Sequence, residues 1–419
     1  MSEQSAGAPA PSVDPARGWG GFLLILLALV VEGFDLQAAN FAAPSIVEDF
    51  GIARAEIGPL LSASLVGVLI GALAIGPFGD RFGRRAILVG CCLAYGLVSL
   101  GAAMAGNLTE LVALRFLIGI GLGAVLPNAL ALAGELAPRR HLARAMGLVG
   151  IGISFGGVVA GAVAARFLPT HGWPSLFIAG GILPIAIAAL LWIGLPESPA
   201  MARPGLPRQS PARGLRAILA PARRGATLAI WLSFALVLMV VYLLSGWIPL
   251  LVRDQGYSTA AASWIATASH AGGVAGGIFA SLMLARRSWM IVAAFAGLAA
   301  LTLAVVALHD WSAGMLSLLL VMVGFFSTGT QNGLNGSCGA AYPAEMRATG
   351  LGWALGVGRV GSIVGPLVGS LALLLGLSDP RHFFILPVLP LLAAAALALW
   401  LAKRTAPAPS EEKPEEQGE

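Results

Sequence analysis

Gly76-Pro-Phe-Gly-Asp80-Arg81-Phe-Gly83-Arg84-Arg85 is a short polar segment between two long apolar runs. Its glycines permit a tight turn. Its arginines are expected outside the hydrocarbon, and Asp80 can accept hydrogen bonds at a helix N-terminus, where the helix dipole favours an anion. The segment therefore predicts a tight, charged loop that joins two membrane-spanning helices.

The composition of the whole chain agrees with a membrane protein. Of its 419 residues, 58% are hydrophobic and only 11% are charged, whereas about a quarter of the residues in a soluble domain are charged. The formal charge of +5 comes from basic residues in short loops, so it indicates membrane topology and not a nucleic-acid partner. The three cysteines lack metal-ligand or disulfide spacing, and no cofactor is expected.

Twelve apolar runs are long enough to cross about 30 Å of hydrocarbon, which takes roughly 20 residues. They begin near Gly18, Ile57, Arg85, Leu111, Ala145, Pro174, Ala226, Ala260, Ser288, Ser312, Thr349 and Phe383. When loops are assigned to alternate sides, one side holds most of the Arg and Lys, including those beside both termini. The positive-inside rule then predicts a multi-pass protein of the bacterial inner membrane with both termini in the cytoplasm.

A polar break and an internal repeat divide the chain. We predict an N-terminal tail at 1–17, six-helix bundles at 18–195 and 226–404, a cytoplasmic linker at 196–225 and a C-terminal tail at 405–419. Arg144-Ala-Met-Gly147 recurs as Arg347-Ala-Thr-Gly350, as expected when two parallel halves surround a central path. The predicted class is an all-α membrane protein, expected as a monomer in the lipid bilayer.

The Gly76–Arg85 segment resembles the signature loop of the major facilitator superfamily. Stretches resembling other motifs of that superfamily follow in order, from Arg115 in the fourth run to Leu195-Pro-Glu-Ser-Pro199 after the sixth. The resemblance implies the major facilitator fold and a role for the loop in locking one conformation. The residues expected in gating are Asp80, Arg81, Arg84, Arg85, Arg115, Glu135 and Arg144. Arg115 could instead pair with an acid of the first run, or its side chain could merely reach toward the membrane surface.

The first apolar run carries Val31-Glu32-Gly33-Phe34-Asp35-Leu36-Gln37-Ala38-Ala39. This resembles the first-helix motif of the aromatic acid:proton symporter family, in which the first acid is usually Asp and not Glu. It is more similar to the form of the motif in the 3-(3-hydroxyphenyl)propionate transporters, which begins with Glu. The resemblance implies import of an aromatic carboxylate, such as a phenylpropionate or a hydroxybenzoate, together with protons.

The chemistry of the two acids fits proton coupling. A carboxylate in an apolar helix is costly when ionised, so it faces water, finds a partner or takes up a proton. Glu32 and Asp35 are three residues apart and share one helix face. The alternative is a static hydrogen-bonded pair that holds the first helix to its neighbours.

Arg359 lies about ten residues inside the eleventh run. A guanidinium keeps its charge in a protein, so a buried one needs an anionic partner. That partner could be the carboxylate of a substrate or a structural acid such as Glu32 or Asp35. The row Gly361, Gly365 and Gly369 is expected to be a packing face.

A cavity for an aromatic acid needs apolar walls and a few polar groups that orient the ligand. The remaining substrate-binding candidates are Gln37, Asn40, Asn128, Tyr242, Trp247, Gln331, Asn332 and Asn335. His270 stands alone in the eighth run, and a lone histidine is more often a packing residue.

Three other functions stay open on the sequence. The superfamily motifs also allow import or export of another small organic acid. A membrane sensor on the same fold would bind ligand without accumulating it. A membrane-embedded enzyme would need a reactive cluster, and the sequence shows no nucleotide-binding loop, nucleophile motif or metal-ligand group.

Overall fold

The computed structural model describes residues 15–136, 142–197, 211–343, 346–377 and 379–405. Within these residues every regular element is a helix, and twelve stretches are long and apolar enough to span a membrane. The spans are Trp19–Phe50, Arg54–Phe82, Arg84–Ala102, Leu108–Leu136, Ile151–His171, Pro174–Gly194, Pro221–Asp254, Thr259–Met283, Trp289–Leu308, Ala313–Cys338, Arg347–Leu374 and Pro380–Arg404. The predicted fold class is confirmed.

The helix bounds depart from the sequence prediction in two places. Thr259–Leu308 is one helical element that contains both the eighth and the ninth span, which were expected to be separate helices. A helix at Pro211–Ile218 lies inside the predicted linker. Thr227 donates a hydrogen bond of 2.7 Å to the Ile218 carbonyl and accepts one of 3.2 Å from the Tyr342 hydroxyl, which fixes the end of this helix.

The remaining helices follow the spans. They are Pro15–Phe50, Gly58–Ala74, Arg84–Ala102, Leu108–Leu136, Leu142–His171, Pro174–Gly194, Pro221–Asp254, Ala313–Ala341, Arg347–Leu374 and Val388–Thr405, with short helical turns at Arg54–Ile57, Gly76–Phe78, Gly79–Phe82 and Pro380–Phe383.

The chain forms two compact units. Unit 1 comprises Met1–Pro207, Leu244–Ala271 and Pro366–Gly376; unit 2 comprises Arg208–Leu243, Gly272–Gly365 and Leu377–Glu419. Unit 1 therefore contains the first six spans and segments of the seventh, eighth and eleventh. The six-helix bundles at 18–195 and 226–404 stay a prediction.

Glycine contacts hold the helices of unit 1 together. A side chain at Gly33 would overlap the carbonyl of Ile153, so the first and fifth spans can approach only through glycine. Gly119 has the same relation to the carbonyl of Ser64, which joins the second and fourth spans. Small residues at such crossings replace the hydrophobic effect as the means of packing in lipid.

Unit 2 packs by the same rule at the corresponding pairs of spans. A side chain at Gly361 would overlap the carbonyl of Ala235, joining the eleventh and seventh spans, and Gly276 has the same relation to Phe325, joining the eighth and tenth. The predicted packing role is thus confirmed for Gly361. The equivalent pairing of spans in each half is what a parallel repeat predicts.

Candidate functional site

The two acids of the first span face the interior of unit 1. Glu32 is 2% exposed and Asp35 is completely buried. The sixth span also borders Asp35, because a Cβ on Gly180 would lie 3.5 Å from Oδ1 of Asp35, an ordinary contact distance.

Arg115 of the fourth span is the ion-pair partner of Asp35. Its Nη1 donates hydrogen bonds to Oδ1 of Asp35 at 3.0 Å and to the Asp35 carbonyl at 3.1 Å. Its Nη2 donates to the Ser64 hydroxyl at 3.0 Å, and the guanidinium lies 5.9 Å from the centre of the Phe177 ring. Oδ2 of Asp35 is buried and accepts no hydrogen bond from the described residues. The site therefore holds a paired carboxylate with one oxygen left available to a proton.

The next polar residues of the first span point elsewhere. Gln37 follows Asp35 by two residues, about 200° around the helix. It is the one residue between Val31 and Pro44 that is not buried. Nδ2 of Asn40 donates a hydrogen bond of 2.5 Å to Oε1 of Gln37, which links these two predicted ligands.

In unit 2, Arg359 contacts Tyr242. Its Nη1 lies 3.4 Å from the Tyr242 hydroxyl, and both side chains are half-buried. Among the described residues of unit 2, no carboxylate lies within ion-pair distance of Arg359. This guanidinium is therefore placed in a membrane span with a neutral partner.

The three predicted ligands of the tenth span are all half-buried. Nδ2 of Asn332 donates to the Thr328 carbonyl at 3.2 Å. Oδ1 of Asn335 is buried and accepts no hydrogen bond from the described part of the chain. No hydrogen bond recorded among the described residues joins Gln331, Asn332 or Asn335 to Arg359.

Two other predicted ligands lie in packed surroundings. Nδ2 of Asn128 donates to the carbonyls of Ala124 at 2.8 Å and Gly76 at 3.2 Å, so this amide ties the fourth span to the start of the charged loop. Trp247 is fully buried, and its indole nitrogen donates to the Pro366 carbonyl at 3.0 Å.

The charged loop forms a cluster of ion pairs at one end of unit 1. Arg84 donates to Oδ1 of Asp80 at 3.1 Å and also pairs with Glu135 of the fourth span. The backbone nitrogen of Arg85 donates to Glu197 at 3.3 Å, and Glu197 is a residue that the sequence prediction did not assign to the site. The only signal for it was its place in the Leu195–Pro199 stretch.

The other predicted gating residues differ in position. Arg81 lies over the Phe82 ring at 5.3 Å. The side chain of Arg144 lies outside the described residues. Arg115 lies with Asp35, away from the loop cluster.

The opposite end of unit 1 carries ion pairs that the sequence prediction missed. Arg54 pairs with Asp254 at 2.7 Å, and Arg253 pairs with Glu48 at 3.2 Å. They tie the end of the first span and the start of the second to the end of the seventh. In the sequence, Arg54 and Arg253 are single charges in short loops, which carry no pairing signal.

No metal site emerges from the part of the chain that the structure describes. Within it, no group of three or more His, Cys, Asp and Glu side chains could hold a metal ion.

The whole chain is similar to known membrane transporters. The family model described as Major Facilitator Superfamily matches residues 25–366 and, in a second match, 230–419. The chain is 38% identical to a gallate transporter of Pseudomonas putida, covering 92% of each protein. It is 36% identical to the 3-(3-hydroxy-phenyl)propionate transporter of Escherichia coli (strain K12), covering 87% of this chain and 90% of that protein.

A solved structure shares the fold. The crystal structure of a bacterial homologue of the human lysosomal transporter Spinster, in an inward-facing and unoccupied conformation, matches with a TM-score of 0.72 and 20% identity, covering 94% of this chain and 98% of that one. Since a family model matches most of the chain and related transporters match it almost end to end, the chain belongs to the Major Facilitator Superfamily and is a transporter rather than an enzyme.

Proposed function

We propose that this transporter imports an aromatic carboxylate together with protons by alternating access, in a bacterial inner membrane with both termini in the cytoplasm. The relatives described above are named as transporters of gallate and of 3-(3-hydroxy-phenyl)propionate. Both compounds are aromatic carboxylates whose ring bears at least one hydroxyl group. The substrate class proposed for this chain is therefore a hydroxylated aromatic acid.

The observation that carries the proposal is the environment of Arg359. A guanidinium cannot lose its charge, and a cation within an apolar span is costly unless an anion compensates it. The partner observed in unit 2 is the neutral Tyr242 hydroxyl. A substrate carboxylate would compensate the charge through two parallel hydrogen bonds, with the hydroxyl as a further donor.

Proton coupling is proposed for Asp35 and Glu32. A monovalent anion that moves inward alone is opposed by the membrane potential, at about 2.3 kcal/mol per 100 mV. Entry with more than one proton reverses that effect. Asp35 can take a proton at its buried Oδ2 when its pairing with Arg115 weakens, and Glu32 shares its helix face.

The loop cluster of Asp80, Arg84 and Glu135 is proposed as the gate. Its pairs join the loop between the second and third spans to the end of the fourth. Such contacts stabilise one conformation and must break when the helix ends separate. Arg81, Arg85 and Arg144 are proposed as its basic neighbours.

The test compares Arg359→Gln with Arg381→Gln, because Arg381 lies at the start of the twelfth span and pairs with Asp379 at 2.8 Å. Both purified variants are reconstituted, and exchange of labelled gallate and 3-(3-hydroxyphenyl)propionate is measured. Loss of a charged hydrogen bond of about 1.5–3 kcal/mol predicts a KM roughly tenfold to a hundredfold higher for Arg359→Gln only. Equal kinetics in the two variants would exclude Arg359 as the carboxylate ligand. Ligand binding without exchange by the wild type would favour a sensor.

A further inference from the structure

His270 of the eighth span belongs to unit 1, and both it and Gln37 border Gly157. A Cβ built on Gly157 of the fifth span would be 3.0 Å from Nδ1 of His270 and 3.3 Å from Cγ of Gln37. The absence of a side chain at Gly157 thus leaves a space that the imidazole and the Gln37 side chain both border. The first, fifth and eighth spans bring these residues together.

The imidazole also packs near an aromatic ring. The His270 and Phe41 rings have centroids 5.8 Å apart and are inclined by 50°. Phe41 and Thr267 both border Gly161, where a side chain would overlap each of them. The Thr267 hydroxyl donates to the Ser263 carbonyl at 2.6 Å, so it serves its own helix.

The polar atoms of this group remain available. Neither nitrogen of His270 hydrogen-bonds another residue in the described part of the chain. Oε1 of Gln37 accepts from Asn40 at 2.5 Å, which leaves Nε2 of Gln37 without an acceptor among the same residues. Both side chains are only half-buried. Polar groups inside an apolar span are costly and mark functional sites.

The donors and acceptors suit a hydroxyl group. A neutral imidazole offers one acceptor and one donor, and the Gln37 amide nitrogen offers donors. A phenolic hydroxyl both donates and accepts, so it can donate to the imidazole while it accepts from the amide. A carboxylate accepts only and is better matched by a guanidinium.

We propose that His270 and Gln37, the latter oriented by Asn40, form a subsite that hydrogen-bonds a ring hydroxyl of the substrate and selects hydroxylated over unsubstituted aromatic acids. The inference rests on the proposed function, because it assumes an aromatic acid as substrate. It adds His270 as a specificity-determining residue and assigns Gln37 to the hydroxyl end of the ligand.

The test uses two pairs of acids that differ in ring hydroxyls. 3-(3-Hydroxyphenyl)propionate is compared with 3-phenylpropionate, and gallate with benzoate, in proteoliposomes that contain the full chain. The variants are His270→Phe, which keeps a ring and removes both nitrogens, and Gln37→Met, which keeps the length of the side chain. His270→Gln restores an amide donor and acceptor. His171→Phe is the control, because His171 contacts Thr170 and Phe167 in its own helix.

We expect the wild type to have the higher kcat/KM for the hydroxylated acid of each pair. His270→Phe and Gln37→Met should each lower that preference about tenfold, the effect of one net hydrogen bond. His270→Gln should recover part of it, and His171→Phe should leave it unchanged. Measuring the amount of each reconstituted protein separates these changes from failure to fold.

Three results would overturn the inference. A wild type that transports both acids of a pair equally has no hydroxyl subsite. Variants that lose both acids in the same proportion would give His270 and Gln37 a structural role, while the proposed function would stand. A wild type that transports none of the four acids would refute the proposed substrate class, and the subsite with it.

Discussion

Arg115 donates hydrogen bonds to both the carboxylate and the backbone carbonyl of Asp35, and the two side chains are 1% and 0% exposed. Burial of two charges costs several kcal/mol per ion, and close pairing offsets this cost only while both partners remain. The pair therefore links the stability of unit 1 to the protonation of Asp35. Neutralising Asp35 leaves the buried Arg115 with the Ser64 hydroxyl and the Asp35 carbonyl as its hydrogen-bond acceptors among the described residues.

Asp35→Asn should be strongly destabilising, because it leaves the charge of Arg115 uncompensated. Removal of one partner of a buried pair costs about 3–5 kcal/mol. The double variant Asp35→Asn/Arg115→Gln removes both charges and should regain most of that loss. The measurement is denaturant unfolding of the detergent-solubilised protein, with Ser64→Ala as a control expected to cost about 1 kcal/mol. A double variant as unstable as the sum of the two single variants would refute the coupling.

The ion pair at the opposite end of unit 1 should contribute much less to stability. Arg54 has a side chain that is 49% exposed where it meets Asp254 at 2.7 Å. Pairs of this kind contribute about 0.2–1 kcal/mol and are screened by salt. Arg54→Gln should therefore lower the free energy of unfolding by less than about 1 kcal/mol, and by less at 1 M salt. A loss as large as that of Asp35→Asn would contradict this difference in burial.

Gly361→Ala tests the glycine packing of unit 2. The added methyl would overlap the Ala235 carbonyl and push the eleventh span from the seventh, whereas at Gly356 in the same helix it would meet nothing within 4 Å. We expect Gly361→Ala to destabilise by about 1–3 kcal/mol and Gly356→Ala to be neutral or stabilising. Thermal unfolding in detergent measures both. Equal melting temperatures would show that the two spans tolerate separation.

Gly83→Ala tests the charged loop. Gly83 has a backbone φ of +99°, which residues other than glycine rarely adopt. A Cβ there would also lie 2.8 Å from Oε2 of Glu197. The variant should lose about 1–2 kcal/mol from strain alone and transport more slowly, because Asp80, Arg84 and Glu197 would shift. The control is Gly90→Ala. Gly90 lies in the helix that begins just after Gly83, and a Cβ there would meet nothing within 4 Å. The measurements are the free energy of unfolding and the initial rate of substrate uptake. Wild-type values of both for Gly83→Ala would contradict the expected strain in the loop.

The sequence predicts the fold because hydrocarbon imposes a simple rule on length and polarity. Twelve apolar runs and the Gly76–Arg85 segment suffice for the number of spans and for the family. The ends of helices follow less closely: the Pro211–Ile218 helix lies in a stretch whose composition indicated a linker. Its end is bonded to Thr227, which in turn is bonded to Tyr342, 115 residues further along the chain.

The candidate site is only partly accessible from sequence, because helix rotation decides which residues meet. The spacing of Glu32 and Asp35 correctly places them on one face. It does not show that this face meets Arg115, while Gln37 lies on the other side of the helix beside His270. Asn128 is polar and within a span, as a ligand would be, yet its amide is bonded to backbone carbonyls. The pairing of Asp254 and Glu197 had no local signal, because their partners lie far along the chain; for Glu197 the sequence offered only its place in the Leu195–Pro199 stretch.

The most direct test of coupled transport is proton movement during uptake. Proteoliposomes that contain the wild type and an internal pH-sensitive dye are given 3-(3-hydroxyphenyl)propionate without an imposed gradient. We expect internal acidification that follows uptake of the label, and its loss in Glu32→Gln while exchange of labelled for unlabelled substrate continues. Uptake of the label without acidification in the wild type, or acidification that persists in Glu32→Gln, would contradict coupled transport.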